Sequence, residues 1–242
     1  MIIAARNGAW AKSGYTARDY VQDGLIAMWD GIENAGWGIH DPSVVSWNDL
    51  LSERKANVAQ GGISFGYDYM HLDGNAYLLV SSWNDIKTAI NTGRSLSVES
   101  VFAFYQHGDW NGIYAIGYSG ILLFDLWYAN STIAQTPSYN LGGSFAGFRI
   151  PNDGRRPLVP YGERVSISQT WDGSTVKFYK NGVLFSEGSS NQFTLGSLYQ
   201  IGLGNSQKGI IDFCSHRVSS KCLTQLEISE NYAVDKARFN LP

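Results

Sequence analysis

Cysteine, charge and long apolar runs are all scarce in this chain of 242 residues, and each scarcity closes off a class of protein. There are two cysteines, Cys214 and Cys222, with seven residues between them. That spacing is not a redox Cys-x-x-Cys, and no second ligand pair exists to complete a zinc site, so both read as reduced thiols. Charged residues make up 16% of the chain, the formal net charge is −3, and no basic block occurs. A nucleic-acid surface needs clustered Lys and Arg against phosphates, so that partner class is excluded. No apolar run approaches the roughly 18–20 residues that cross a bilayer, so no membrane insertion is expected. The opening run Met1-Ile2-Ile3-Ala4-Ala5 is short and is broken by Arg6 and Asn7. No secretory signal is expected from it, and the chain is expected to be made in the cytoplasm.

Familiar catalytic motifs are missing as well. There is no Gly-x-Ser-x-Gly elbow. His40, His71, His107 and His216 form no His-x-x-x-His pair, and His216, on a strand, reads as a structural histidine. There is no internal repeat and no linker of biased composition.

What is present is glycine, 27 residues, and aromatic side chains, 14% of the chain. With so few charges this composition fits a β-rich globular protein with many turns. Regular structure is expected to begin near Gly24-Leu25-Ile26-Ala27-Met28-Trp29-Asp30. Residues 1–22 show no clean period and read as an arm outside the domain at 23–242, able to serve homo-oligomerisation or a particle partner. Strand patterns follow at residues 70–74, 77–80, 96–104, 112–117, 121–127, 143–150, 165–185, 198–203 and 208–218. In the run from Leu96 to Phe104, Leu96, Val98, Phe102 and Phe104 share one parity. Glu99 and Val101 share the other, which is expected to be half solvated. Asn181-Gly182 is a two-residue hairpin turn, since both residues tolerate positive φ. Thr224 followed by Glu227 is a capping box opening a helix. Many short strands and one terminal helix predict an all-β, antiparallel sandwich.

Four motifs in order carry a family resemblance. They are Asp23-Gly24-Leu25-Ile26-Ala27-Met28-Trp29, Leu72-Asp73-Gly74 before Tyr77-Leu78, Trp171-Asp172-Gly173 with Tyr179-Lys180-Asn181-Gly182, and Arg217 before Leu223-Thr224, Glu227-Ile228 and Asn231-Tyr232. Together they resemble the laminin G-like, concanavalin A-like lectin and glucanase jelly roll. The stretch from Asp23 to Phe239 also resembles tail-associated proteins of phages and prophages of gut bacteria. The resemblance implies a jelly-roll β-sandwich with a short C-terminal helix and, through the phage proteins, association with a virion. Trp171 and Tyr179 then read as packing residues and Glu227 as a cap.

Retaining glycosidases place two carboxylates about 5–5.5 Å apart. The family's catalytic strand reads Glu-x-Asp-x-x-Glu, and no such spacing occurs here. Asp68 and Asp73 are five apart, and Glu99 stands between serines. The expectation is therefore a chain that is not an enzyme. Calcium is the one cofactor the resemblance allows, with Asp73 and Asn75, or Asp109 and Asn111, as oxygen donors. Sugars stack on aromatic rings while polar side chains bond their hydroxyls. The candidate ligand-binding residues are accordingly Asp109, Trp110 and Asn111, then Trp127, Tyr128 and Asn130, with Arg155 as a further donor. The function expected is a carbohydrate-binding or adhesion module on a particle, contacting a glycan or cell-surface polysaccharide. The alternative is a structural protein that multimerises or decorates without sugar, and a glycosidase comes last.

Overall fold

The computed structural model describes residues 14–105, 111–118, 124–130, 138–146, 148–150, 158–190, 196–204 and 207–242. Its strands, in chain order, begin with β1 (Leu25–Asp30), β2 (Ser46–Asn48), β3 (Lys55–Gln60), β4 (Ile63–Phe65), β5 (Met70–Asp73) and β6 (Tyr77–Val80). After a short helix α1 (Asn84–Thr88) come β7 (Leu96–Phe104), β8 (Asn111–Tyr118), β9 (Phe124–Asn130), β10 (Ser138–Phe145), β11 (Phe148–Arg149) and β12 (Leu158–Pro160). Then follow β13 (Val165–Trp171), β14 (Thr175–Lys180), β15 (Val183–Ser189), β16 (Leu198–Ile201), β17 (Leu203–Gly204), β18 (Gln207–Lys208), β19 (Ile210–Ser219) and helix α2 (Gln225–Phe239).

Two antiparallel sheets face each other. The first runs β15-β14-β13-β7-β19-β5-β4, with β1 also paired to β19. The second runs β11-β10-β9-β8-β16-β6-β3-β2, with β12 on β10. This is the all-β sandwich with a C-terminal helix that the strand pattern predicts. Apolar side chains alternate inward from both sheets, and Trp29, Trp47, Tyr114, Tyr199, Phe102 and Phe178 are buried between them. Asn181 and Gly182 have φ of 49° and 76°, as a type I′ turn requires, and Lys180 pairs with Val183 across it. The pattern at residues 143–150 is not one strand. The chain folds back at Ala146, φ 47°, so that Phe145 pairs with Phe148.

Two expectations about the first sheet change. All nine residues of β7 are buried, so the face carrying Glu99 and Val101 is not half solvated. Helix α2 lies over it, turning Ile228, Asn231, Val234, Asp235, Arg238 and Phe239 inward. Residues 14–22 do not stand outside the sandwich either. Ala17 and Tyr20 are buried, the Tyr20 hydroxyl donates to Asp235 at 2.8 Å, and the Val21 amide donates to Asn231 at 2.8 Å. This segment is tied to the helix that covers the sheet.

Candidate functional site

The densest polar cluster lies under α2. Arg217, on β19, donates at 2.7 and 2.9 Å to the two oxygens of Asp235, and its Nε lies 3.5 Å from Glu99 on β7. Its guanidinium sits 3.9 Å from the centre of the Tyr20 ring. Asn231 and Ser168 donate to Glu99, and Ser166 donates to Asp235. Beside them Arg238 donates at 2.7 Å to Asp30. Burial raises the Glu99 carboxyl above its ordinary value, with Arg217 opposing. These carboxylates are all buried where α2 meets the sheet, with Glu99 only 2% exposed. Their chemistry is to fasten helix to sheet.

His216 occupies the space between the sheets. Its Nδ1 is 2.7 Å from the Ser100 hydroxyl and its Nε2 is 2.5 Å from the Tyr199 hydroxyl. Burial, aided by the Arg217 charge, lowers its pKa to about 3, so the ring is neutral. This is the structural role expected of it. Trp171 and Tyr179 are buried, and Glu227 and Thr224 exchange both bonds of the capping box. Cys214 and Cys222 form no disulfide, and burial pushes the Cys214 thiol up.

The sugar-binding candidates separate by position. Asp109, Trp110 and Arg155 lie outside the described residues. Asn111 opens β8, and Trp127, Tyr128 and Asn130 fall within β9, so they belong to paired strands. Tyr128 pairs with Asn111 on one side and Leu141 on the other. Trp127 is in register with Gly112 and with Gly142. Strand pairing thus brings Asn111, Trp127 and Tyr128 to one place in the second sheet, while Asn130 lies two residues further, opposite Tyr139.

Asp73 accepts from the Asn75 amide at 2.9 Å and shapes its turn. Among the described residues no group of three or more His, Cys, Asp or Glu could hold a metal. An open polar hollow of about 400 Å³ borders the β2–β3 turn, lined by Asp49, Ser52 and Arg54 among others. Asp49 there accepts from the Met28 and Leu51 amides, the Ser52 hydroxyl and Arg54, which hold the turn.

A further group was not anticipated from sequence. On the outer face of the first sheet, past the end of α2, Asp212 bonds His71 Nδ1 at 2.7 Å and accepts from the Tyr105 hydroxyl. Close by, Arg164 donates at 2.6 and 2.8 Å to Asp68 and at 3.0 Å to the Phe239 carbonyl. Tyr105 is 46% exposed and Tyr67 49%. The only sequence signal was shared parity: Tyr105 continues the alternation of Val101 and Ala103.

No family model matches the chain, and no curated protein matches it in sequence. Solved structures do. A Trypanosoma rangeli sialidase mutant with trans-sialidase activity superposes with a TM-score of 0.65 at 12% identity, over 89% of this chain and 33% of its own. Domain 4 of an extracellular arabinanase from Geobacillus stearothermophilus, in complex with arabinotriose, gives 0.58 at 15% identity, over 86% and 98%. The receptor-binding domain of a botulinum neurotoxin C/D mosaic serotype gives 0.56 at 13%, over 88% and 51%. This chain spans about a third of the sialidase's length. Similarity at this level shows the fold. It also corrects one expectation, that the chain is not an enzyme. That expectation rested on one carboxylate spacing, and the sandwich is found in sialidases, which are enzymes.

Proposed function

We propose that this chain is a glycan-binding β-sandwich whose ligand face lies where β8 and β9 pair. The observation that carries the reading is the register of Trp127 between Gly112 and Gly142. An aromatic residue there has neighbours on both flanking strands that contribute no side chain beside it. The arabinanase domain bound to arabinotriose supports the reading, because it is matched over nearly its whole length. The test is a glycan array followed by calorimetry on the best hit. Trp127→Ala should weaken that hit by roughly three- to tenfold, the worth of a stacked ring. An array with no hit, or a hit indifferent to Trp127, counts against the reading.

The finer part of the proposal places the sandwich on a phage or prophage particle, with the residues before 14 as its attachment or multimerising segment, since residues 14–22 are tied to α2. Removing residues 1–13, which spares Tyr20 and Val21, should then lower the number of subunits per particle in solution. The same number of subunits with and without those residues counts against it.

A further inference from the structure

We infer that the outer face of the first sheet carries a second carbohydrate site, centred on Tyr105 and running across Arg164 and Asp68 to Tyr67. It lies on the opposite sheet from Trp127 and stands on separate observations.

The first is where Tyr105 emerges. Ser97, Glu99, Val101 and Ala103 precede it on the same face and are all buried. Tyr105 is the first of this series to reach solvent, just past the last residue of α2. The second is its backing. The Gly162 amide donates to Phe104 at 2.7 Å, and Gly162 has φ 74°. A Cβ at 162 would stand 3.2 Å from the Tyr105 ring, so the ring rests on bare backbone. One side of the ring is supported and nearly half of the residue remains open.

The third observation is that the polar groups around the ring are already held. Asp212 fixes both the Tyr105 hydroxyl and His71. Asp68 and the Phe239 carbonyl fix Arg164. Side chains ordered before binding lose less freedom when a ligand arrives. Ser64 is exposed and lies opposite His71, extending the rim by one hydroxyl. Beyond Asp68, Tyr67 packs its ring 6.3 Å from His40 and offers a second exposed aromatic surface. Two tyrosines with an arginine–carboxylate pair between them match an oligosaccharide, whose successive sugars present apolar faces and hydroxyls in turn. Two carboxylates, Asp68 and Asp212, stand against one guanidinium, so the ligand is a neutral oligosaccharide and not an acidic one.

The experiment is amide chemical-shift mapping of the whole chain, titrated with arabinotriose, maltotriose and cellotriose as neutral probes and sialyllactose as the acidic one. At least one neutral trisaccharide should move the amides of Tyr67, His71, Tyr105 and Gly162. Tyr105→Ala should weaken that response roughly three- to tenfold and leave any response at β8–β9 unchanged. Tyr105→Phe keeps the ring but loses the bond to Asp212, and should lie between wild type and Tyr105→Ala. Shifts confined to β8–β9 overturn this inference and leave the proposed function standing. Shifts confined to the Tyr105 cluster uphold it and count against the face proposed at Trp127. A cluster that answers only to sialyllactose, or to none of the four, overturns it.

Discussion

Replacing Arg217 by methionine should destabilise this protein far more than replacing Glu99 by glutamine, although the two side chains share one buried cluster. Arg217 is fully buried and neutralises two carboxylates, through its bonds of 2.7 and 2.9 Å to Asp235 and its 3.5 Å approach to Glu99. Methionine fills much of its volume but leaves both acids in a dry interface without a cation. Breaking a buried pair in this way costs about 3–5 kcal/mol. For a chain of this length that is a fall in Tm of about 6–20 °C. Glu99→Gln leaves Arg217 bonded to both oxygens of Asp235. The glutamine carbonyl can still accept from Asn231, and its amide faces Ser168. A change within about 1 kcal/mol is expected at neutral pH. The pH dependence has a definite sign. Burial raises the Glu99 pKa above its ordinary 4.5. Its contribution to stability is therefore complete below about 4.5 and is lost as pH rises through the higher folded value. Glutamine mimics the protonated acid, so the variant should gain on wild type across that window as pH rises. Urea unfolding of both variants and wild type from pH 4 to 8 tests all of this. Equal losses for the two variants would refute the argument that one cation serves two acids.

Three further outcomes follow from the same interior. His216, with its pKa lowered to about 3 from an ordinary 6.5, stabilises the fold fully above 6.5, and that contribution fades as pH falls toward 3. Between pH 6 and 4 it should remove about 1.4 kcal/mol per pH unit, measured as the difference in urea stability between wild type and His216→Gln. Tyr20→Phe loses the hydroxyl that donates to Asp235 and accepts from Arg238, and should lower urea stability by about 1.5–3 kcal/mol. Gly182→Ala puts a Cβ at φ 76° and 3.1 Å from the Tyr232 ring, a loss of about 1–2 kcal/mol; a thermal melt unchanged within error would show that the turn relaxes.

Local chemistry made much of the fold legible. Asn181-Gly182 had to turn because both residues accept positive φ, and Thr224 with Glu227 had to open a helix because they answer each other's amides. The cover over β7 was not legible. A helix is read from an apolar stripe, but α2 turns Asn231, Asp235 and Arg238 toward a sheet face bearing Glu99, Ser166, Ser168 and Arg217. Leu226, which a hydrophobic reading would place inward, is 68% exposed. The candidate site was legible in residue type only. Trp127 ends the strand pattern expected at 121–127, and only pairing with β8 and β10 carries the strand on through Tyr128 to Asn130. Tyr105, His71 and Asp212 come from three distant segments. Nothing local joins them, because they meet through the order β5-β19-β7.

That order bears on how the protein is made. The central strand of the first sheet, β19, leaves the ribosome after every other strand described in the two sheets. β1, β5 and β7 are synthesised long before it and pair with it directly. They must wait, unpaired along that edge, until residue 219 has emerged. Such long-range pairing is slow, and open strand edges are prone to stick to one another. A nascent chain stalled before residue 210 would hold most of the second sheet's strands and no finished first sheet. It would be a natural client for a chaperone, and the closing of the sandwich would have to follow the synthesis of all the strands that β19 joins.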